Sequence, residues 1–302
     1  MTTSCKIAVV GSINMDLVTR SSRFPTAGET LLGEGFNQFM GGKGANQAVA
    51  AARLGAQVDL IGAVGDDSFG QELLANLRKE GVNTEGVKTV TGQPSGLANI
   101  TVAENDNHII VISGANFCLT PADIEANEHR IAAADVVMSQ LEIPADCVLA
   151  TAKLAAKHGK PFILNPAPAQ KLPQELLQLV TALTPNAYEL AISLGLPENT
   201  AAEALISQTP CPVIMTRGSE GAMYVDENRE IRSQATYCVT PVDTTGAGDT
   251  FNGALAVFWQ HGLAKAVKYA CAAAALSVTK AGAQSGMPTA VELNDFLAKQ
   301  SQ

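Results

Sequence analysis

Ile7-Ala8-Val9-Val10-Gly11-Ser12-Ile13-Asn14-Met15-Asp16 decides how the chain folds. Four consecutive apolar residues with no polar interruption describe a strand covered on both faces, and Gly11-Ser12 ends it. Asn14 and Asp16 then stand at the carboxyl end of that strand, the edge where open α/β sheets bind ligands, although both types also simply favour turns. The same kind of short buried strand recurs at 58–64, 136–138, 162–164 and 213–216, with helical stretches at 67–80 and 146–158 between them. Strands alternating with helices predict an α/β fold, a doubly wound parallel sheet in a Rossmann-like layer arrangement, built as one domain over residues 1–302. No GxGxxG follows the first strand, so a dinucleotide site lacks its usual signature.

Hydrophobic residues make up 46% of the chain, enough for a full core. The net charge is −9 and Lys and Arg form no block, which argues against nucleic acid or an anionic membrane as a partner. An anionic substrate therefore needs a locally positive pocket. The six cysteines include no CxxC pair and the four histidines show no metal-ligand spacing. Buried free thiols in a reducing, cytoplasmic setting are expected. The apolar run near Met1–Lys6 is too short for a signal peptide, and no run approaches a membrane span.

Two segments break the alternation. Residues 14–40 and 96–113 are rich in short alternating pieces, the second divided by the turn-forming Glu104-Asn105-Asp106-Asn107, and read as antiparallel hairpins making a small β lid over the site. The lid's outer apolar face calls for cover by a second subunit, hence a homodimer.

Two glycine-rich turns open helices. Gly41-Gly42-Lys43-Gly44-Ala45-Asn46-Gln47 is not a Walker loop, because Gly44-Ala45 follows Lys43 with no Ser or Thr and the spacing to an earlier glycine is wrong. Its glycines suit close approach of a polyhydroxyl ligand with Asn46 as a contact, or equally a helix packed tightly on a strand. Asp243-Thr244-Thr245-Gly246-Ala247-Gly248-Asp249-Thr250-Phe251 leads into a helix whose apolar face is Phe251, Ala254, Leu255 and Phe258. Unpaired amides at that helix start can hold a phosphate while Asp249 stands beside it as a base, a combination that points to phosphoryl transfer. An ordinary Gly-rich turn with Asp in the first helical turn is the plain alternative. Further polar groups close buried strands: Glu142 after 136–141, Asn165-Pro166-Ala167-Pro168-Ala169 after 162–164, and Asn186 with Glu189 after Leu183-Thr184-Pro185.

Taken together and in this order, Gly11–Asp16, Gly41–Gln47, Asn165–Ala169, Asn186 with Glu189, and Asp243–Asp249 closely resemble the ribokinase-like carbohydrate kinase family, over about residues 6–288. The resemblance implies transfer of the γ-phosphate of ATP to the 5-hydroxyl of D-ribose. Asp249 matches the catalytic base, and the amides of Gly246, Ala247 and Gly248 match the anion hole. Asn14, Met15, Asp16, Gly42, Lys43, Gly44, Ala45, Asn46 and Glu142 fall in the sugar-binding motifs; Met15 faces either the sugar or the core, and alternation favours the core. Asn186, Thr216, Arg217, Gly218, Ser219, Glu220, Gly221, Gly248 and Asp249 match the ATP contacts, with Cys271 near the adenine. Glu189 belongs to the motif that orders Mg²⁺ through water. Asp243, Thr245, Ser277, Lys280, Gly282 and Gly286 match a monovalent-cation site, normally K⁺. The alternatives are a kinase for 2-deoxyribose, another sugar or a nucleoside, or a ligand sensor that has lost turnover.

Overall fold

A computed structural model describes residues 5–104, 106–226 and 228–300. Met1–Ser4, part of the N-terminal stretch read as too short for a signal peptide, and Asn105 of the expected lid turn lie outside the described residues. In chain order the strands are β1 (Lys6–Val10), β2 (Asn14–Arg20), β3 (Gly35–Gly41), β4 (Gln57–Gly65), β5 (Val82–Val90), β6 (Gly96–Ala103), β7 (Asp106–Ile112), β8 (Val136–Ser139), β9 (Phe162–Leu164), β10 (Ala182–Leu183), β11 (Ile214–Thr216), β12 (Ala222–Val225) and β13 (Ile231–Gln234). The helices are α1 (Lys43–Arg53), α2 (Ser68–Lys79), α3 (Pro121–Ala126), α4 (Glu128–Ala133), α5 (Ala145–Lys157), α6 (Gln174–Leu179), α7 (Ala187–Leu194), α8 (Ala202–Gln208), α9 (Ala247–Phe258), α10 (Leu263–Ser277) and α11 (Ala290–Gln300).

The main sheet runs β10-β9-β8-β1-β4-β5 and every pairing in it is parallel. Alternation along β1 shows why it is buried on both sides. Ile7 and Val9 enter a core shared with α1, α2, α9, α10 and α11, whereas Ala8 and Val10 enter one shared with α3 to α8. Two helical layers thus sandwich the sheet, as the unbroken apolar runs require. Single bridges, Leu183 to Val213 and Asn186 to Thr216, carry the sheet on to β11, after which β12 and β13 add antiparallel.

From β1 the chain goes first to β4 on one side and only later to β8 on the other. The crevice beyond the carboxyl ends of β1 and β8 is therefore the topological switch point, the place such sheets offer a ligand.

A four-stranded sheet, β3-β2-β6-β7, stands apart from the main one. Its outer pairs are antiparallel as expected, but β2 and β6 run parallel, since the chain builds the α/β body between them. All of β7 is exposed, Phe36, Ile109, Ile110, Val111 and Ile112 lie open on this sheet, and Leu32 is exposed in the loop before β3. An apolar surface of that extent marks an interaction site.

The glycines of residues 41–47 serve the chain's own packing. A Cβ at Gly44 would lie 2.5 Å from the Gly11 carbonyl carbon, and one at Gly42, whose φ is +88°, would lie 2.6 Å from the Asn14 amide nitrogen. These positions let α1 start directly against the end of β1. Of the two readings open from sequence, helix-on-strand packing accounts for Gly42 and Gly44.

Candidate active site

The starts of three helices meet at the switch point, and they are capped differently. Helix α7 caps itself: the Asn186 side chain accepts from the Glu189 amide at 2.8 Å, and the Asn186 amide donates to Glu189 Oε2 at 2.8 Å. Helix α1 has no side-chain cap of its own and borrows its neighbours across the switch point. Lys43 N–H donates to Glu142 Oε2 at 3.2 Å, Gly44 N–H to Ser12 Oγ at 3.3 Å and Ala45 N–H to Ser12 O at 2.9 Å. Helix α9 begins at Gly246 in a left-handed conformation with no side-chain cap. Ala247 N–H makes a turn bond of 3.2 Å to Thr244 O, so it is tied within the loop, while the amides of Gly246, Gly248 and Asp249 have no acceptor among the described residues. These are the orphan donors of a helix start, with partial positive charge around them. A Cβ at Gly248 would meet nothing within 4 Å, so its missing side chain opens space above the turn instead of accommodating the fold.

Asp249 lies in the first turn of α9 and is only 8% exposed. Asn46 Nδ2 donates to its Oδ2 at 2.9 Å and Gln47 Nε2 to its Oδ1 at 3.1 Å. Burial pushes the Asp249 carboxyl above the usual carboxylate range; Lys43, Asn46 and Gln47 pull it back, and the charge of Glu142 adds to the rise. Asn46 turns its amide oxygen away, accepting from Gln284 Nε2 at 3.0 Å. Its side chain is thus committed largely to Asp249.

On the lid side, Asn14 is buried and its Oδ1 accepts from Asn116 Nδ2 at 2.7 Å. Asn116 is itself oriented by the Ile13 amide, which donates to its Oδ1 at 2.9 Å, so Asn14 presents its NH₂ as the free end. Glu142 Oε2 takes the Ser12 hydroxyl at 2.5 Å as well as the Lys43 amide, leaving its other oxygen unengaged. Asp16 is pushed up to about 7 by burial first and by the charges of Glu142 and Asp249, against the pull of Lys43. Lys43 balances this group: burial opposes its charge, yet Asp249, Glu142, Glu189 and Asp16 outweigh that and hold its pKa above the ordinary lysine value. Two residues of the sugar-binding motifs turn their side chains away, as alternation favoured for Met15. Met15 and Ala45 are 0% and 1% exposed and belong to the core, because strand and helix alternation turn them away from the crevice.

A cavity of ≈ 170 Å³ joins Lys43, Asn186, Glu189, Thr216, Thr244 and the turn from Gly246 to Asp249, with Asn165, Thr184 and Asn252 in its wall. A second, of ≈ 130 Å³, shares Thr216, Ala247 and Gly248 with it and continues to Gly218, Gly221, Phe251 and Cys271. The first is polar and sits at the orphan amides; the second is largely apolar. One narrow cleft thus offers a place for phosphates beside a place for a flat apolar ring. Burial pushes the Cys271 thiol up to about 12, so it lines the cleft as an inert apolar group. Gly218 and Gly221 line this cleft, whereas Arg217, Ser219 and Glu220 do not; Arg217 instead pairs with Glu220. Burial pushes the Glu189 carboxyl up, opposed by the Asn186 amide and Lys43.

Beside the orphan amides, Asp243 stitches two loops, accepting from Thr245 N–H at 2.9 Å and Gly282 N–H at 2.8 Å. Burial alone would raise its carboxyl, but these bonds and the Arg20 charge hold it below the usual range. A Cβ at Gly286 would lie 2.1 Å from Ser277 O, so the backbone at these two positions packs closely. Lys280 sends its side chain to Glu292 at 3.2 Å, which leaves that residue only its backbone carbonyl to offer, and the Ser277 hydroxyl donates to Ala274 O. Among the described residues no group of three His, Cys, Asp or Glu side chains could hold a metal ion.

Sequence reasoning did not single out Ser12, Gln47, Asn116 or Gln140. Gln47 stood within a quoted motif, but only the contact of α1 with α9 shows what it touches.

A doubly wound sheet with a buried carboxylate beside uncapped helix amides, and further carboxylates and an amide across a lysine from them, is the arrangement a small-molecule kinase needs. The description "pfkB family carbohydrate kinase" matches residues 4–290, and the chain belongs to that family. It is 47% identical over 294 residues to the ribokinase of Bacillus subtilis (strain 168), covering 97% of this chain and 99% of that one. It is also 38% identical over 302 residues to the deoxyribokinase of Salmonella typhi, covering 97% and 98%. The structure of Arabidopsis thaliana ribokinase complexed with ribose and ATP superposes with a TM-score of 0.91 at 30% identity, covering 98% of this chain and 99% of that one. The chain is an ATP-dependent sugar kinase.

The raised pKa of Asp16 makes a stability prediction. A carboxyl whose folded pKa lies above its unfolded value lends stability at low pH, and that stability is lost as pH rises from about 3.8 towards about 7. Asp16→Asn should therefore stabilise the ligand-free protein at pH 8 relative to wild type by roughly 2–4 kcal/mol, with little gain at pH 4. Urea unfolding at the two pH values measures this, and equal gains at both would contradict it.

Proposed function

We propose that the chain transfers the γ-phosphate of ATP to the 5-hydroxyl of D-ribose, giving D-ribose 5-phosphate and ADP. The observation that carries the reading is the Asp249 carboxylate, held by Asn46 and Gln47 next to the unpartnered amides of Gly246 and Gly248. A hydroxyl lying against Asp249 would lose its proton to that acid while the amides receive charge on the transferring phosphoryl group. Asn14 through its NH₂, and Asp16 and Glu142 through carboxylate oxygens, would bind the remaining sugar hydroxyls. Lys43 stands where the sugar and phosphate halves of the cleft meet and would steady charge on both. The apolar end of the cleft, with Gly218, Gly221 and Cys271, suits the adenine. The Arabidopsis enzyme complexed with ribose and ATP supports this choice of substrates.

Glu189 keeps one oxygen on the Asn186 amide, and its place on the cleft suits it to hold Mg²⁺ through water; the ion would neutralise phosphate charge there. The backbone carbonyls of Ser277, Lys280, Gly282 and Gly286, with Asp243 and Thr245, would form an oxygen-rich cradle of the kind a monovalent cation takes; the close approach of Gly286 to Ser277 O and the Asp243 bonds to Thr245 and Gly282 support it. K⁺ there would set the geometry of the loop leading into α9. The exposed apolar face on β7 supports a homodimer made through the lid. Among the described residues no helix is long and apolar enough to cross a membrane, and we assign the enzyme to the cytoplasm, where ATP and reduced thiols are found.

Asp249→Asn should lower kcat by about 10²–10⁴ fold with ribose affinity largely kept; near-normal turnover would remove Asp249 as the base. ADP release assayed across ribose, 2-deoxyribose, fructose and adenosine should favour ribose, since polar groups built for a hydroxyl disfavour an analogue lacking it. Better turnover of 2-deoxyribose would transfer the assignment to that sugar, and no turnover of any would leave a sensor. Replacing Na⁺ by K⁺ at constant ionic strength should raise activity several-fold; a flat response would dismiss the cation site. Light scattering should give twice the mass of the 31.3 kDa chain, and a monomer at assay concentration would refute the shared lid.

A further inference from the structure

We propose that Gln47 is a positioning residue for phosphoryl transfer: its side-chain amide aims the Asp249 carboxylate and keeps it ionised, and Gln140 fixes which end of that amide faces the acid. The inference rests on the reading of Asp249 as the base. Gln47 is 0% exposed, so it cannot meet a sugar, and any effect it has on the reaction must pass through what it touches. Its Nε2 donates to Asp249 Oδ1 at 3.1 Å and to Asn165 Oδ1 at 3.2 Å, and its Oε1 accepts from Gln140 Nε2 at 2.7 Å. Both N–H groups and the carbonyl are therefore in use.

The orientation of this amide is over-determined. Asn165 spends its NH₂ on Thr184 O at 3.1 Å, so its oxygen can only accept, and Gln47 must present a donor there whatever the state of Asp249. From the other side, Gln140 is also wholly buried, and its Oε1 has no hydrogen-bond partner. That oxygen lies over Gly11, where a Cβ would approach it to 2.1 Å. Turning the Gln140 amide round would set its oxygen against the Gln47 oxygen, two acceptors with no proton between them. An unpartnered buried acceptor is costly, and it persists here because the opposite orientation is worse. A directed chain of donors thus runs from Gln140 on the β8 side of the switch point, through Gln47 on α1, to Asp249 on α9.

Gly253 allows the approach of the two helices on which this depends. A Cβ at that position would lie 2.7 Å from Ala50 Cβ and 2.8 Å from Gln47 O, so α9 rests directly on α1. The neighbouring Asn46 clamps the second oxygen of Asp249 from the same helix turn. Lys43 on α1, Glu142 after β8, Glu189 on α7 and Asp16 on β2 also act on Asp249 through their charges. Changing Gln47 leaves all four in place.

The test is a ¹³C carboxyl NMR titration of Asp249, assigned by comparison with Asp249→Asn, together with the pH dependence of kcat and KM for ribose, in wild type, Gln47→Leu and Gln47→Glu. Loss of a donor to the ionised acid raises its pKa, so both the titration and the acid limb of kcat should move up by about one pH unit in Gln47→Leu. On the acid limb, below both values, kcat should therefore fall about tenfold at a given pH, with KM for ribose changed less than about threefold. Gln47→Glu keeps the shape, adds a like charge beside the acid, and should move the titration further in the same direction. Should the Leu variant fail to fold, the near-isosteric Glu variant decides. An unchanged Asp249 titration in the folded variants, or a rise in KM with kcat intact, would overturn the proposal. If the titration shifts as expected in a protein that phosphorylates none of the sugars offered, the role of Gln47 in setting the acid stands, and the ribose assignment alone falls.

Discussion

The architecture turns on a helix that starts without a cap. Other helix starts have side-chain partners for their first-turn amides: Asp67 serves α2, Thr120 and Asp123 serve α3, Asn186 and Glu189 serve α7, and Ser12 with Glu142 serves α1; α4, α5, α6, α8 and α10 start without a side-chain cap, as α9 does, but away from the switch point. At α9 the donors of Gly246, Gly248 and Asp249 are left open, at a cost that helices ordinarily avoid. The helix forms nonetheless because its body is fully engaged. Phe251, Ala254, Leu255 and Ala256 are buried in the core between α1 and α10, and that burial offsets an unsatisfied turn. Stability is supplied by the apolar face, which leaves the polar end available for an anion.

Around this turn the side-chain charges are lopsided: Asp16, Glu142, Glu189 and Asp249 face a single ammonium, Lys43. Burial multiplies the effect, because four acids with little water between them cannot all ionise cheaply, and three of them are pushed upward in consequence. A bare polyphosphate would meet net repulsion here. A nucleotide that brings its own divalent cation would not, and the hydroxyl protons of a sugar would answer the carboxylates on the other side of Lys43. The ligand-free site is therefore electrostatically incomplete in a way that two ligands of opposite demand relieve together.

Much of this was legible in the residues. Unbroken apolar runs at Ile7–Val10 and 136–138 can only be strands covered on both faces, and the covering helices follow from that. Position at a strand's carboxyl end marked Asn14, Asp16 and Glu142 before any contact was known. Other parts were hidden for physical reasons. The β2–β6 pairing is parallel because it joins strands some eighty residues apart, and no local pattern carries such a register. Strands β12 and β13 extend the sheet by hydrogen bonds that depend on β11, not on their own sequence. Asn116 and Gln140 act at a distance in sequence from everything they orient.

The glycines show why composition alone could not separate support from site. Gly42, Gly44 and Gly253 are small because another part of the chain occupies the space a side chain would need. Gly248 is small although no chain atom lies within 4 Å of where its Cβ would be. The first three bring β1, α1 and α9 close enough for Asn46 and Gln47 to reach Asp249, and so they determine where the acid points. The fourth leaves room above it. A site that joins a fixed carboxylate to an open oxyanion turn requires both kinds of absence, one filled by the protein and one left for the group it transfers.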